Sequence, residues 1–436
     1  MKIRINRNMK GILTLLVLLV TVNVAQAQKT LLINGYLHIG NGDIIQTALI
    51  GIEGETITLV ENSLAFPYDP SDWDTIVDLN GQHIYPGFIA PNSTLGLTEI
   101  DAVRATRDYN EVGEFNPHIR SQIAFNAESK VISTVKTNGV LMAQSTPRGG
   151  VISGSSSVMA LDGWNWEDAT IAKDDGIHVN WPDAITGDYS QAQLVGKKHE
   201  DAYEKRKTEL YDFFELAKVY AYSGTDKATD VRLEAMIDCF KDNKRVYFHA
   251  NELQQLIDII DFAQHFELNF PVIVGGYDSH IIGKRLTDAN IPVMLIRPHS
   301  LPFNEDDPVD LPFRLPAILK KQGIKFCIQN EGDMEAMNAR NLPFLAGTAM
   351  AYGLSEEEAI QSIALSTCEI MGIDQMFGSI EVGKSATLFA SKGNALDVRT
   401  NQVSLILIKG AFCSTTNFQY DLYQKYRKKY LKTSPK

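Results

Sequence analysis

Cysteine is scarce in this sequence: Cys239, Cys327, Cys368 and Cys413 are the only four in 436 residues. No two stand in a Cys-x-x-Cys pair, which excludes zinc sites and dithiol redox motifs of that kind. Cys239 and Cys327 lie in apolar stretches and read as small core residues. Basic charge is not in excess either. Lys and Arg number 41 against 53 Asp and Glu, for a net charge of −12. A chain of that sign lacks the positive face that offsets phosphate, so neither nucleic acid nor an anionic membrane is an expected partner. Internal repeats and low-complexity segments are absent. So are a Gly-x-Ser-x-Gly elbow and a Walker lysine.

What is present starts at the N-terminus. Lys2, Arg4, Arg7 and Lys10 precede an apolar run over residues 11–24, and Ala25-Gln26-Ala27 supplies a small-x-small site. This pattern predicts a signal peptide cleaved near Ala27, with export to the periplasm or beyond. The run is too short for a comfortable span, so no membrane span is expected after cleavage.

Short strands separated by turn residues follow, at Thr30–Gly35, Ala48–Ile52, Thr56–Val60 and Thr75–Leu79. They predict a small antiparallel sheet. From about residue 85 the pattern alternates. Continuous apolar strands such as Arg245–His249, Pro271–Val274, Ile291–Ile296 and Ile324–Ile328 are separated by amphipathic helices. Leu253, Leu256, Ile257 and Ile260 mark the buried face of one helix, and Leu210, Phe213, Phe214 and Ala217 that of another. Ser355 to Glu358 form a capping box. Beyond residue 378 strands return without helices between them. The expected fold is α/β, a TIM-type (β/α)8 barrel with a small β-sandwich domain built from both chain termini. The expected boundaries are 1–27 for the signal peptide, 28–84 plus 376–415 for the sandwich, 85–375 for the barrel and 416–436 for a tail.

Several fragments carry a resemblance to the amidohydrolase superfamily, in particular its secreted imidazolonepropionase-like members. Tyr85-Pro86-Gly87-Phe88-Ile89 is similar to the family's strand-one entry, and Phe248-His249-Ala250-Asn251 to its strand-five motif. Asn116-Pro117-His118-Ile119-Arg120 and Ala124-Phe125-Asn126, followed by Asn138-Gly139-Val140, resemble a further segment of those members. Asn341 to Phe344 and Gly372 to Lys384 resemble its closing signature. The resemblance implies a barrel and hydrolysis of C–N bonds at a metal centre. That centre is held by two strand-one histidines, a Lys or Glu near strand four, one histidine each on strands five and six, and a strand-eight Asp. At those positions this sequence has Asn92 and Thr94, His249, Gly275, and Asn330 or Glu331. Amide and hydroxyl oxygens are poor replacements for imidazole at zinc.

The expected site residues are therefore His249, Asp333 and Glu331 for any residual catalysis. Asn92, Ser93, Thr94, Arg148, Asn251, His280 and Asn330 are expected to line the pocket. Thr146-Pro147-Arg148-Gly149-Gly150 reads first as a tight inter-strand turn and otherwise as an anion-binding loop. Trp164, Trp166 and Trp181 are expected near the barrel mouth, as packing or as aromatic walls for a ligand. Two functional readings result. In the first, an exported protein of this family has lost its metal ligands and any cofactor. It binds a small molecule or peptide in the barrel pocket, alone, as a homo-oligomer, or beside an active amidohydrolase paralogue. In the second, it is a working hydrolase of cyclic amides or peptides with a single weakly held divalent metal, or with none.

Overall fold

The structure, a computed structural model, describes residues 28–183, 192–224, 228–241 and 244–431. The proposed signal peptide lies outside the described residues.

Two sheets organise the chain. The first takes strands from both ends: β1 (Lys29–His38), β2 (Ile44–Glu53), β3 (Thr56–Asn62), β4 (Thr75–Asp78) and β5 (His83–Pro86). They join β14 (Leu388–Ser391), β15 (Val403–Ile408) and β16 (Ala411–Phe412), in the order β16-β15-β14-β5-β1-β2-β3 with β4 beside β1. Leu32, Ile50, Ile84, Leu388 and Leu407 form its separate apolar core. The seam between the chain ends is β5 against β14, where Tyr85 pairs with Phe389.

The second sheet is the barrel. Its strands are β6 (Phe88–Ser93), β7 (Val140–Ser145), β8 (Ile152–Ala160), β9 (Thr170–Asn180), β10 (Arg245–Ala250), β11 (Pro271–Gly275), β12 (Val293–Leu295) and β13 (Phe326–Ile328), hydrogen-bonded in sequence order. Every residue of β6, β7 and β8 is buried, as continuous apolar strands covered on both faces should be. Helices pack outside. On the helix Leu253–Phe266 the buried stripe is Leu256, Ile259, Ile260, Ala263 and Phe266. This is rotated slightly from the expected face, because Leu253 and Ile257 are only half-buried. The capping box at Ser355 is present, with Glu358 N donating to Ser355 Oγ at 3.3 Å and Ser355 N to Glu358 Oε2 at 2.9 Å. The C-terminal segment is helical over Phe418–Leu431 and buries no residue.

One feature departs from a uniform parallel barrel. β8 runs antiparallel to both β7 and β9. The short connections on either side of it leave no room for the crossover helix that parallel neighbours require. This reversal moves two of the tryptophans. Trp164 and Trp166 sit in the β8–β9 connection, at the end where the parallel strands begin, and Trp164 is 92% exposed. They are therefore not at the mouth. Trp181, just past β9, is buried edge-on against Phe248 and Phe262.

Glycine is required where the chain enters β7. Gly139 has φ +89°, and a Cβ there would meet the Phe389 ring at 2.4 Å. That ring belongs to the other sheet, so this contact locks the two sheets together.

Candidate functional site

The barrel interior has an apolar layer and a polar one. Ile89, Met142, Val158, Tyr247, Val272, Met294 and Cys327 form a buried cluster. Further along the same strands the interior turns polar, with Asn92 after Ile89, Gln144 after Met142, His249 after Tyr247 and Gln329 after Cys327.

Asn92 is the hub. Its backbone is left-handed, φ +49°, a conformation asparagine adopts more readily than most residues. The β6–β7 register shifts between Ala90 and Ser93, because Pro91 has no N–H to give the ladder. The kink turns Asn92 inward. Arg148 Nη1 donates to Asn92 Oδ1 at 2.6 Å and Arg148 Nη2 to the Asn92 backbone oxygen at 2.8 Å. Asn92 Nδ2 donates to Gln329 Oε1 at 2.6 Å, which links the first barrel strand to the segment after the last. Asn92 N donates to Gln144 Oε1 at 3.0 Å, and Gln144 Nε2 to Asp175 Oδ2 at 2.8 Å. Ser156 Oγ and Tyr247 Oη also donate to Asp175, at 2.8 and 2.7 Å. Burial pushes the Asp175 carboxyl above the usual range, and these donors oppose that shift.

His249, at the end of β10, is half-buried, and its Nε2 lies 2.9 Å from Nδ1 of His178 on β9. His178 is fully buried and stacks on Tyr247 at 4.6 Å. Burial lowers both pKa values, and the neighbouring Arg148 charge adds to the effect. His249 is held at about 3, and His178 lies well below the imidazole range. Both rings are therefore neutral at physiological pH. His178 Nε2 has no protein partner among the described residues.

On the far side of Asn92, Glu335 is buried. Its Oε2 accepts from Thr94 N at 2.6 Å and Thr94 Oγ1 at 2.9 Å. Burial raises its pKa, opposed chiefly by Arg148. Of the residues expected at the site, Asn92, Ser93, Thr94, Arg148 and His249 come together here. Asn330 is buried, its Nδ2 donating to the Glu335 backbone oxygen at 3.2 Å. Asn251 braces the turn before the Leu253–Phe266 helix, its N donating to Gln255 Oε1 at 3.1 Å. Glu331 is half-buried at the mouth, whereas Asp333 is exposed. His280 sits in a separate turn, its Nδ1 3.1 Å from the Tyr277 backbone oxygen.

The sequence placed the Asp174–His178 segment in the region of the bridging ligand without a matching motif, and it assigned no role to Gln144, Tyr247, Gln329 or Glu335. Two of these residues did carry a signal. Gln144 ends the apolar run Leu141-Met142-Ala143, and His178 lies between Ile177 and Val179. Polar side chains inside buried strands need partners there.

No family model matches the sequence, and no curated protein matches it. Solved structures do. An amidohydrolase from Thermotoga maritima MSB8 superposes with a TM-score of 0.70 at 22% identity, over 88% of this chain and 99% of that one. This chain has the amidohydrolase fold. More distant amidohydrolase-fold structures agree. A prolidase solved with N-methylphosphonate-L-proline gives a TM-score of 0.54 at 15% identity, over 89% of this chain and 100% of that one. An adenosine deaminase from Xanthomonas campestris, solved with bound zinc, gives 0.53 at 12% identity, over 92% and 98%.

The amidohydrolase fold implies a metal, and the residues in place do not fit one. Among the described residues no group of three or more His, Cys, Asp or Glu side chains is arranged to hold an ion. Asn92 Oδ1 takes a guanidinium instead. Thr94 Oγ1 donates to Glu335 and offers only a neutral hydroxyl oxygen, His249 Nε2 faces His178, and Gly275 has no side chain. A fixed cation beside Asn92 also opposes a second cation at the same point.

Proposed function

We propose that this chain is an exported, non-catalytic member of the amidohydrolase fold that binds a small molecule or short peptide at its barrel mouth. The observation that carries this reading is the Arg148–Asn92 contact, because it sets a permanent side-chain cation where the resemblance implies a metal ligand. The mouth contains a cavity of about 290 Å³ whose lining includes Trp181, Phe303, Asn180, Asn251 and Gln255. Aromatic and amide walls suit a peptide or a compact organic ligand. Asp183, Glu252 and Glu331 also line it, with no Lys or Arg among its residues, so the ligand's amino or other cationic end is the part we place there. His249 opens onto the same cavity. An imidazole with a pKa near 3 is a feeble general base at neutral pH. The ligand-binding role extends to a homo-oligomer or to a companion of an active paralogue.

Metal analysis of the purified mature chain, after incubation with zinc and manganese, tests the reading. Well under one ion per chain is expected. About one ion per chain, or hydrolysis of cyclic amides or dipeptides that vanishes in His249→Ala, overturns it.

A further inference from the structure

We propose a second binding site, for a small zwitterion such as a free amino acid or short peptide, in the cavity at the N-terminal end of β10. That end lies about 13 Å along the strand from His249. The cavity is the larger of the two, about 700 Å³, and its wall includes residues of β8, β9, the start of β10 and the turn Met371–Ile373.

The site is built on a distortion of β9. Ser156 pairs with Gly176, but Val158 pairs with Ala172, so Lys173, Asp174 and Asp175 form a bulge opposite Ser157. Asp174 adopts φ +50° there, which carries a strain cost for a non-glycine residue. Specific contacts hold it. Arg120 Nε donates to both Asp174 carboxylate oxygens at 2.9 Å, and Asp174 N donates to Ser157 Oγ at 2.9 Å. Bulges re-aim side chains. This one sends Asp175 toward the barrel interior while the residue still lines the cavity.

The wall carries both signs, with four basic residues (Arg120, Lys173, Lys244, Arg245) and four acidic ones (Asp174, Asp175, Glu234, Asp238). Lys244 Nζ is held by neutral acceptors only among the described residues, Ser155 Oγ and the Ala235 backbone oxygen, both at 3.1 Å. It is the group for a ligand carboxylate. Asp238, exposed on the rim, is the group for an ammonium. His118 also lines the cavity, and its buried Nδ1 has no partner among the described residues. A wall balanced in sign favours a ligand that carries both charges over one that carries a single charge.

The test is calorimetric titration of the full mature chain with L-alanine, L-glutamate and alanyl-alanine, against succinate and propylamine as single-sign probes. Binding of at least one zwitterion, with succinate and propylamine at least tenfold weaker, is expected. Lys244→Met and Asp238→Asn should each weaken that binding about tenfold, equivalent to about 1.4 kcal/mol. Glu331→Gln, in the wall of the mouth cavity, should leave it unchanged. Thermal melting of each variant without ligand checks that it folds, and Asp238→Asn is the safer variant because its side chain is exposed. Absence of zwitterion binding, equal binding of a single-sign probe, or unaltered affinity in folded Lys244→Met and Asp238→Asn overturns the proposal. Loss of binding in folded Glu331→Gln with retention in Lys244→Met moves the ligand to the mouth and likewise overturns it.

Discussion

Arg148 grips Asn92 by both oxygens, side chain at 2.6 Å and backbone at 2.8 Å. The backbone contact depends on the kink at Asn92, and the side-chain contact on its left-handed φ. One arginine thus stabilises an unusual backbone and sets the charge of the whole polar layer. It favours the carboxylate form of Glu335 and the neutral forms of His178 and His249.

Arg148→Met should destabilise the fold by about 2–4 kcal/mol, because it strips donors from two Asn92 oxygens and leaves Glu335 without its nearest cation. Arg148→Lys should restore only part of this, since an ammonium cannot reproduce the two-pronged contact. Urea unfolding of the three proteins checks the order.

Glu335→Ala should be more damaging than Glu335→Gln. Alanine leaves the Thr94 N–H and hydroxyl without an acceptor in a buried place, at a cost of about 1–3 kcal/mol for an orphaned donor. Glutamine keeps an oxygen there. Comparable losses for the two variants would show that the charge, rather than the acceptor, is what matters.

The His249 ring predicts a pH effect. Its folded pKa, about 3, lies below the ordinary value of 6.5. Between those values the unfolded chain binds the extra proton, so stability falls as pH falls from about 6.5 toward 3. The slope from this residue is at most about 1.4 kcal/mol per pH unit. Asp175 and Glu335, whose pKa values are raised, act in the opposite sense. The comparison must therefore be between proteins. His249→Gln should lose less stability than the parent on going from pH 7 to pH 4.5, measured by chemical denaturation at both.

Tyr247→Phe should cost about 1–2 kcal/mol. It removes the 2.7 Å donor to Asp175 while preserving the ring that stacks on His178. Removing that donor also raises the Asp175 pKa further, which carboxyl-stretch infrared titration can follow. An unmoved carboxyl band would contradict the network described here.

The barrel and the sheet from both termini were legible because strand burial writes itself into apolar runs such as Pro271–Val274, and helices into spacing such as Leu256 to Ile260. The entry at Tyr85–Ile89 marks the first barrel strand and so the position of Asn92 at its end. The reversal of β8 was not legible. A fully buried strand reads the same in either direction, and only pairing with β7 and β9 fixes its sense. Because of that reversal Trp164 lies at the opposite end from the mouth.

The sequence by itself determined which donor groups stand at these positions. Asn92, Thr94 and Gly275 lack imidazole wherever the chain places them, since donor strength belongs to the side chain. Only the tertiary structure decided what those groups contact. Arg148 and Asn92 lie 56 residues apart, Glu335 and Thr94 241 apart, and His178 and His249 71 apart. Contacts of such range depend on how the strands close into a barrel, and no local pattern along the chain encodes them.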